Sequence, residues 1–450
     1  MFGDTIFAPL TVFGRGSIYV IRISGDRLYS CLNALGINKK LEDRKATLCK
    51  LKDKSGELLD EALLILFKAP NSFTGEDVCE INMHCSKYII DRVFNILSDI
   101  DGVRLAERGE FSKRAFLNNK FDLLQAESIA DLVNSKTKLQ HKKAIEQLAG
   151  RNSNIFSSLR NEIVDILANT EALIDFPEEE DINYQDTTGT IAKKTNLVIE
   201  KIEKILADNR CGQKINDGLN ISIIGKPNVG KSTFLNFIAK KDVAIVSDIA
   251  GTTRDIIQVS VDIAGIPVTF YDTAGIRETK DTIESEGVRR AINNAKDADF
   301  RILMLEPNDI AIDDSLKDIL NENTIILLNK IDILETGEKV DNIRKLYPNI
   351  IEMSLKNNVN TDYVIKYINS YLEEHFLPYV DTGITHERYR IELENSLKYL
   401  RNISNGYDEM PIEIIAENVR TASVCIGKIT GEINTEEVLD GIFSKFCIGK

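Results

Sequence analysis

Residues Gly225–Ser232 match the phosphate-loop pattern GxxxxGK[ST], which constrains the fold of the surrounding chain more than any other feature. The apolar run Ile221–Ile224 before the motif is typical of a buried strand, and Thr233–Ile238 after it predict a helix. In such a strand–loop–helix unit, backbone N–H groups close around phosphate oxygens at a helix N-terminus. We expect Lys231 to reach the β- and γ-phosphates and Ser232 to bind Mg²⁺. The motif therefore predicts an α/β domain that binds a nucleoside triphosphate.

Two motifs further along the chain carry groups suited to Mg²⁺ and the γ-phosphate. In Gly251–Asp255, a threonine hydroxyl can complete the Mg²⁺ coordination when the γ-phosphate is present. The strand-like run Val268–Tyr271 leads into the DxxG motif Asp272–Gly275. An acid at the strand end holds Mg²⁺ through water, and the glycine backbone can contact the γ-phosphate. Both motifs follow the phosphate loop in the order expected of a nucleotide switch.

The base-recognition motifs indicate guanine. Asn329, Lys330 and Asp332 form an NKxD pattern after the apolar run Ile325–Leu328. The carboxylate of Asp332 can accept hydrogen bonds from both N1–H and the exocyclic amino group of guanine, a donor pair that adenine lacks. Ser354–Lys356 matches the SAK-type loop that lies behind the base. Together, and in this order, the motifs predict a GTPase.

Two residues indicate how hydrolysis differs from that of Ras-like enzymes. Ras-like enzymes have a Gln after DxxG that orients the attacking water, but Ile276 stands there and can neither donate nor accept. Another group must therefore be recruited. Asn228 lies inside the phosphate loop. Its carbonyl oxygen could help to coordinate a monovalent cation where an arginine finger would place its charge, or it could simply stabilise the loop.

The composition is that of an acidic protein with several domains. A chain of 450 residues predicts roughly two to four domains. The net charge of −14 argues against nucleic-acid binding through global charge. No apolar run approaches the roughly 18 residues of a membrane span, and the N-terminus lacks the pattern of a secretory signal. The seven cysteines form no CxxC pair, which favours reduced thiols. We therefore expect a cytoplasmic protein with no membrane partner.

Four segments with different patterns predict a multidomain α/β and α+β fold. Residues 1–118 combine β-rich runs with turn signals and predict an α+β domain. Residues 119–217 show apolar residues at helical spacing. Residues 218–373 alternate strands and helices, as an inserted Ras-like P-loop G domain should. The helical pattern returns in residues 374–450, which we interpret as the second part of one helical domain.

Beyond these motifs, the chain resembles the MnmE (TrmE) family of bacterial tRNA-modification GTPases, within the TrmE–Era–EngA-like GTPase superfamily. The resemblance covers essentially the whole length. The stretches that carry it in the N-terminal half are Asp4–Ile6, Gly14–Gly16, Ile21–Gly25, Asn71–Asp77, Gly109–Phe111, Arg114–Asn118 and Gln125–Glu127. The chain ends in Cys447–Lys450, similar to the terminal CxGK of the family.

The resemblance implies that the N-terminal domain binds folate and forms dimers. By motif match, Arg22, Glu80, Lys120 and Lys450 fall where the family contacts a tetrahydrofolate derivative. A pteridine ring offers donors to a carboxylate, and the glutamyl tail offers anions to lysines. Cys447 matches the terminal cysteine of the family near this site, and it is either functional or an ordinary tail cysteine.

The resemblance also implies a mechanism of hydrolysis. The family assigns the catalytic water to an acid beyond DxxG, and the matching residue is Glu284. The family also uses K⁺, which binds when two G domains face each other. The matching ligand positions in this sequence are Asn228, Ser247, Ile249 and Thr252. Ser232 and Thr253 are the expected Mg²⁺ ligands. The complete set of expected nucleotide-binding residues is Asn228, Val229, Gly230, Lys231, Ser232, Thr233, Ser247, Asp248, Ile249, Ala250, Gly251, Thr252, Thr253, Asp272, Thr273, Ala274, Gly275, Asn329, Lys330, Asp332, Ser354, Leu355 and Lys356.

The function implied is K⁺-dependent GTP hydrolysis by a homodimer that joins an MnmG-type FAD protein in a heterotetramer. With a tetrahydrofolate one-carbon unit, the complex would add a carboxymethylaminomethyl-type group to C5 of the wobble uridine in certain tRNAs. One alternative is an Era-like ribosome-assembly GTPase, although neither a GxxG RNA-binding module nor a second G domain is visible. Another is a folate-dependent aminomethyltransferase with a regulatory G domain.

Some residues depart from the family pattern. Asn82–Ser86 replaces a His-x-His-Gly-Gly run, Arg108 stands where a proline is expected, and Ser17 interrupts a glycine pair. These departures bear on the folate site and leave the GTPase prediction intact. The tetrapeptide Cys-Ile-Gly-Lys also occurs at Cys425–Lys428, where the helical pattern predicts that Cys425 packs in a core.

Overall fold

The computed structural model of the chain describes residues 3–14, 16–175, 184–208, 210–240, 244–245, 258–272, 295–312, 314–317, 320–334, 344–345, 347, 350–381, 384–406, 409–433 and 436–449. The chain forms two compact units. The first comprises Met1–Val133, Glu146–Asn161 and Ser423–Lys450, and the second comprises Asn134–Ile145 and Glu162–Ala422.

A six-stranded sheet forms the centre of the first unit. Its strands are β1 (Thr5–Pro9), β2 (Ile18–Ser24), β3 (Thr47–Lys52), β4 (Leu58–Phe67), β5 (Val78–His84) and β6 (Val103–Leu105). The order is β3-β4-β5-β2-β1-β6, and the neighbours are antiparallel except for β1 and β6. The helices of this part of the chain are Leu28–Ala34, Lys87–Ser98, Glu110–Leu117, Leu123–Asn134 and Glu436–Phe443.

The two faces of this sheet differ because strand residues alternate between them. In β2, Tyr19, Ile21 and Ile23 are buried in the main core of the unit. Arg22 therefore lies on the opposite face, where the strand register places it directly across from Glu80 in β5. The period of the strand thus brings together two polar residues that are far apart in sequence.

A seven-stranded sheet forms the centre of the second unit. Its strands are β7 (Leu219–Ile224), β8 (Ala244–Ile245), β9 (Gln258–Ile263), β10 (Ile266–Asp272), β11 (Phe300–Leu305), β12 (Thr324–Leu328) and β13 (Ile351–Glu352). The order is β13-β12-β11-β7-β10-β9-β8, parallel from β13 to β10, with β9 antiparallel to both of its neighbours. The helices around this sheet are Cys211–Asp217, Lys231–Ala239, Asp314–Lys317 and Thr361–His375, with 3-10 turns at Ile331–Ile333 and Leu377–Tyr379.

Both faces of this sheet are buried, as expected of parallel strands. Phe300, Ile302 and Met304 of β11 enter one core, whereas Leu303 and Leu305 enter the core on the other face. The carboxyl ends of parallel strands lie at one edge of a sheet, where open α/β folds bind ligands. The phosphate loop, the DxxG aspartate and the NKxD motif follow β7, β10 and β12, so all three meet at this edge.

Long helices make up much of the remaining described chain: Lys138–Leu148, Arg151–Asp175, Tyr184–Leu206, Glu387–Gly406 and Ile412–Thr430. Within the second unit, a buried ion pair joins Arg390 to Asp208, and an exposed one joins Arg401 to Glu203 at 2.6 Å. Among the described residues, no helix has both the length and the apolarity needed to cross a membrane. The predicted multidomain α/β and α+β fold is confirmed, while the domain limits 1–118, 119–217, 218–373 and 374–450 stay predictions.

Candidate functional site

The phosphate loop joins the end of β7 to the helix Lys231–Ala239. Gly225 and Gly230 have φ values of +149° and +108°, which side-chain-bearing residues rarely adopt. A Cβ on Gly225 would meet the carbonyl oxygen of Met304, and one on Gly230 would meet the amide of Asn329. Glycine at both positions therefore lets the loop lie close against the ends of the neighbouring strands.

Lys231 is buried and folds back over the loop. Its Nζ donates to the carbonyl oxygens of Gly225 at 2.6 Å and Lys226 at 2.8 Å. Burial lowers the pKa of this ammonium, and the nearby carboxylate of Asp272 partly opposes the shift. The ammonium is thus held inside the loop, where phosphate oxygens can replace the carbonyl groups as its partners.

Ser232 and Asp272 place two oxygen ligands side by side. The Ser232 hydroxyl donates to Oδ2 of Asp272 at 2.7 Å. Asp272 is buried at the end of β10, and its register partner is Ile223 in β7. Because Mg²⁺ prefers hard oxygen ligands, including carboxylates and hydroxyls beside substrate phosphates, the pair has the chemistry of a Mg²⁺ site.

Asn329 joins the phosphate loop to the base-side loop. Its Nδ2 donates to the carbonyl oxygen of Val229 at 2.8 Å, and its Oδ1 accepts from the backbone N–H of Leu355 at 3.2 Å. Its own backbone N–H bonds to the carbonyl oxygen of Leu305 in β11. The sequence motif predicts Asn329 as a nucleotide-binding residue. The structure adds that the side chain ties two loops together.

The base-side loop presents the Asp332 carboxylate. Ser354 Oγ donates to Asp332 Oδ1 at 2.6 Å, and this hydrogen bond lowers the pKa of Asp332. The loop closes through two backbone bonds of 3.0 Å between Ser354 and Val359. Leu355 is half-buried and Lys356 is exposed. Asp332 is therefore kept ionised and oriented, as acceptance of two guanine donors requires.

Two ion pairs beside these motifs have no signal in the sequence. Lys330 Nζ lies 2.6 Å from Glu306, and Lys226 Nζ lies 2.7 Å from both carboxylate oxygens of Asp309. Glu306 and Asp309 belong to one turn after β11 and form a backbone bridge. This turn therefore binds Lys226 of the phosphate loop and Lys330 of NKxD through neighbouring carboxylates.

The remaining loop residues differ in exposure. Asn228 has φ +66° and is exposed, as is Thr233, whereas Val229 is buried in the core below. Twelve further expected site residues lie outside the described residues: Ser247, Asp248, Ile249, Ala250, Gly251, Thr252, Thr253, Thr273, Ala274, Gly275, Glu284 and Lys450.

In the first unit, Arg22 and Glu80 form a direct ion pair. Nη2 and Nε of Arg22 donate to the same oxygen of Glu80, at 2.7 and 3.1 Å. The guanidinium also lies over two aromatic rings, 4.7 Å from the centre of Phe73 and 5.5 Å from that of Phe111. Two of the residues matched to the folate site, Arg22 and Glu80, are therefore in contact. Cation–π contacts with the two aromatic rings help to hold the arginine in this position.

Lys120, a third residue of this set, lies against the segment that carries Phe73. Its Nζ donates to the carbonyl oxygen of Pro70 at 2.7 Å. Its aliphatic chain lies next to Gly75, which has φ +82° and leaves little room for a side chain. The segment from Pro70 to Gly75 thus connects Lys120 to the ring over Arg22.

The C-terminal segment contacts the end of β1 and the residues before the helix Glu110–Leu117. The backbone N–H of Gly109 donates to the carbonyl oxygen of Cys447 at 3.4 Å, and the side chain of Cys447 is exposed. A Cβ on Gly449 would collide with the carbonyl oxygen of Pro9. The described part of the tail therefore reaches the end of β1, where Pro9 pairs with Ile21 of β2.

A buried ionic network adjoins this site. Arg114 is fully buried and donates to Asp4 Oδ1 at 2.7 Å, to Glu110 at 3.0 Å, and to Glu76 at 3.2 and 3.3 Å. Arg104 binds both Asp4 and Glu110. The resemblance marks Arg114 as a matching residue, but sequence reasoning assigned it no role.

The positions that depart from the family pattern have clear contacts. His84 Nδ1 lies 2.7 Å from Asp60, with the imidazole largely exposed. Arg108 forms an isolated backbone bridge with Ile448. Cys425 is buried, as the helical pattern predicts.

Family models match the chain almost end to end. The model for the GTP-binding protein TrmE N-terminus matches residues 5–120, and the model for the MnmE helical domain matches residues 123–447. The chain belongs to the MnmE family.

Curated MnmE relatives match over their full length. The tRNA modification GTPase MnmE of Rickettsia canadensis (strain McKiel) is 44% identical over 456 residues, which cover 99% of this chain and 100% of the relative. The same-named protein of Rickettsia akari (strain Hartford) is 44% identical over 454 residues, with the same coverage. A solved variant of Aquifex aeolicus Era bound to GDP and AlF4⁻ is 29% identical over 40% of this chain and 66% of its own. Its TM-score of 0.29 is too low to support an argument about the fold.

The predicted membership of the MnmE family is thus confirmed. The Era-like alternative is less supported, because the MnmE relatives match the entire chain. The roles of individual residues at the nucleotide edge and at the Arg22 site stay predictions.

Proposed function

We propose that the chain hydrolyses GTP and that this activity serves the modification of tRNA at the wobble uridine. The observation that carries the proposal is the match, over 99% of the chain, to relatives named tRNA modification GTPases. In the full proposal, a homodimer works with an MnmG-type FAD protein. Together they add a carboxymethylaminomethyl-type group to C5, with a tetrahydrofolate derivative as the one-carbon source.

Guanine recognition is supported by the Asp332 carboxylate. Its hydrogen bond from Ser354 lowers its pKa, so it remains an acceptor at neutral pH. The two donors on the Watson–Crick edge of guanine match the two oxygens of one carboxylate. Adenine offers no such donor pair, and we therefore propose GTP rather than ATP as the substrate.

Phosphate and metal binding are supported by the loop and by β10. Lys231 would bind the β- and γ-phosphates, and Ser232 would bind Mg²⁺, with Thr253 as a second ligand. Asp272 lies 2.7 Å from the Ser232 hydroxyl and would hold the ion through water. Bound Mg²⁺ would neutralise charge that develops on the phosphate oxygens.

The hydrolytic step is assigned by family resemblance. Ile276 cannot orient water, and we propose Glu284 for that role. We propose K⁺ as the activating cation, with Asn228 as one ligand. Asn228 is exposed on the loop, which is compatible with a cation that arrives when a second G domain approaches.

Folate binding is proposed at Arg22, Glu80, Lys120 and Lys450, with Cys447 nearby. The ion pair of Arg22 and Glu80 offers both a cation and a carboxylate on one face of the sheet. Pteridine N–H groups suit the carboxylate, and the glutamate tail suits the cations.

Homodimer formation is supported by apolar side chains on that same face. Ile18 in β2 is 61% exposed, Leu48 in β3 is 64% exposed, and Leu63 in β4 is 40% exposed. Leu48 and Leu63 are register partners, so they form one exposed apolar row. Such rows are common at protein interfaces.

All seven cysteines are free thiols, which supports the proposed cytoplasmic location.

The test is mass spectrometry of wobble uridines from cells that lack this chain. We expect the modified uridine to disappear and to return when the wild-type chain is supplied. Unchanged modification in the deletion strain would overturn the tRNA function. Hydrolysis of GTP and ATP by the purified chain is measured separately, so that failure of the GTPase assignment can be recognised on its own.

A further inference from the structure

The segment Asn71–Asp77 forms a loop beside the proposed folate site. Phe73, from this loop, lies 4.7 Å from the guanidinium of Arg22, and the preceding residue, Pro70, accepts from Lys120 at 2.7 Å. The loop and the residue before it therefore contact two of the residues that we propose to bind folate, and the side chain of Lys120 also lies next to Gly75 in the loop. Its position determines where their charges lie.

Hydrogen bonds from three directions hold the loop at Thr74. Its hydroxyl lies 2.7 Å from the Ser24 hydroxyl in β2 and accepts from the Glu76 backbone N–H at 3.2 Å. Its carbonyl oxygen accepts from Asn118 at 2.7 Å. Ser24 also donates to Glu76 Oε2 at 2.6 Å. Thr74 and Ser24 are both fully buried.

Glu76 connects this loop to the buried arginine. Both of its carboxylate oxygens accept from Arg114 Nη1, at 3.2 and 3.3 Å, while Arg114 also binds Asp4 and Glu110. A buried charged pair with several hydrogen bonds has one strongly preferred geometry, and loss of one partner leaves the other charge uncompensated. Glu76 thus connects the loop to the buried ionic network of Arg114.

We propose that Glu76 is a positioning residue for folate binding. Its contacts with Ser24 and Arg114 fix the loop so that Phe73 stays on Arg22 and the Pro70 carbonyl stays on Lys120. This inference rests on the proposed folate function of the same site. Glu76 acts through the loop and need not touch the folate.

The absence of tryptophan from the chain allows a direct test. The substitution Phe73→Trp introduces a single tryptophan into the loop, and its fluorescence can be excited selectively over that of the 13 tyrosines. We expect its anisotropy to fall and its emission to shift to the red when Glu76→Gln is added. The matched control is Glu61→Gln, because Glu61 is half-exposed and pairs with Lys50 at 3.6 Å on the surface of the same sheet. It should leave both signals unchanged.

Folate affinity is measured by calorimetry with 5-formyltetrahydrofolate on chains that keep Phe73. We expect Glu76→Gln to raise the Kd by about tenfold or more, since a charge-assisted bond is lost, and Glu61→Gln to leave it unchanged. Thr74→Val is the second variant, because it removes two loop hydrogen bonds without altering any charge. It should weaken binding in the same direction. GTP hydrolysis, measured in parallel, should stay at the wild-type rate in all three variants.

The outcomes distinguish failure of the proposed folate function from failure of the positioning role of Glu76. If the wild-type chain does not bind the probe, the proposed folate function falls, and this inference falls with it. If the wild-type chain binds and both Glu76→Gln and Thr74→Val retain its affinity and loop anisotropy, the inference alone is overturned. A loss of affinity together with lower anisotropy of the introduced tryptophan supports it.

Discussion

Replacement of Asn329 by alanine should weaken nucleotide binding by loosening two loops at once. The side chain is only 3% exposed and makes one hydrogen bond to each loop. Nδ2 donates to Val229 at 2.8 Å, and Oδ1 accepts from Leu355 at 3.2 Å. Alanine leaves the carbonyl oxygen of Val229 and the backbone N–H of Leu355 without these partners.

The structure sets the magnitude. Leaving a buried donor or acceptor without a partner costs about 1–3 kcal/mol, so two such groups cost about 2–6 kcal/mol. If binding must restore the order of both loops, this corresponds to a Kd for GDP raised by about 30- to 25,000-fold. The loss should not depend on the base, since Asn329 ties the loops to each other.

Asp332→Asn should instead change the preference from guanosine to xanthosine nucleotides. Xanthine has a carbonyl group where guanine has its exocyclic amino group, and an amide side chain can donate to that carbonyl.

The assay is equilibrium binding of a fluorescent GDP and a fluorescent xanthosine diphosphate. Asn369→Ala is the matched control, because its side chain donates to Glu373 on an exposed helix surface, away from both loops. We expect the control to bind like the wild type. If Asn329→Ala keeps a Kd within about threefold of the wild type, with an unchanged melting temperature, the proposal that Asn329 holds the two loops together for nucleotide binding is refuted.

Three further predictions concern hydrolysis and acid stability. Glu284→Ala should retain GTP binding and lower kcat by about 100-fold or more, whereas Glu278→Ala in the same segment should not; equal turnover would remove Glu284 from the mechanism. Replacing K⁺ by Na⁺ should slow the wild type strongly and Asn228→Ala hardly at all, and a wild-type rate indifferent to the cation would contradict the K⁺ proposal. Burial raises the pKa of Glu110, but hydrogen bonds, first from Arg104, outweigh it and hold the pKa below 4.5. Its contribution to stability is therefore present above pH 4.5 and lost as the pH falls below it. Urea unfolding from about pH 5 to about pH 3 should show a shallower loss of stability in Glu110→Gln, and parallel curves would contradict this.

The nucleotide edge could be predicted largely from the sequence, because its chemistry lies in contiguous motifs. The phosphate loop needs glycines, a lysine and a hydroxyl within eight residues, and the adjacent strand and helix follow from local apolar patterns. The predicted guanine preference likewise rests on Asp332 within NKxD. The fold class followed from the same local patterns.

The contacts that tie these motifs together could not be predicted. Asn329 and Val229 are 100 residues apart, and the residue type alone does not say which carbonyl an asparagine will reach. The ion pairs of Lys226 with Asp309 and of Lys330 with Glu306 are ordinary charges in the sequence. They meet because β7, β11 and β12 are neighbours in the sheet.

Local sequence motifs are thus sufficient to predict a G domain with a guanine-specific phosphate-loop site, since those features depend on residues close together in the chain. The contact of Arg22 with Glu80 and that of Arg114 with Glu76 follow only from the packing of the chain, because these pairs are separated by 58 and 38 residues. Strand register places the first pair, and burial of a charged side chain selects the second. Both depend on how distant segments pack, because a buried charge is stable only where the fold brings its partners to it.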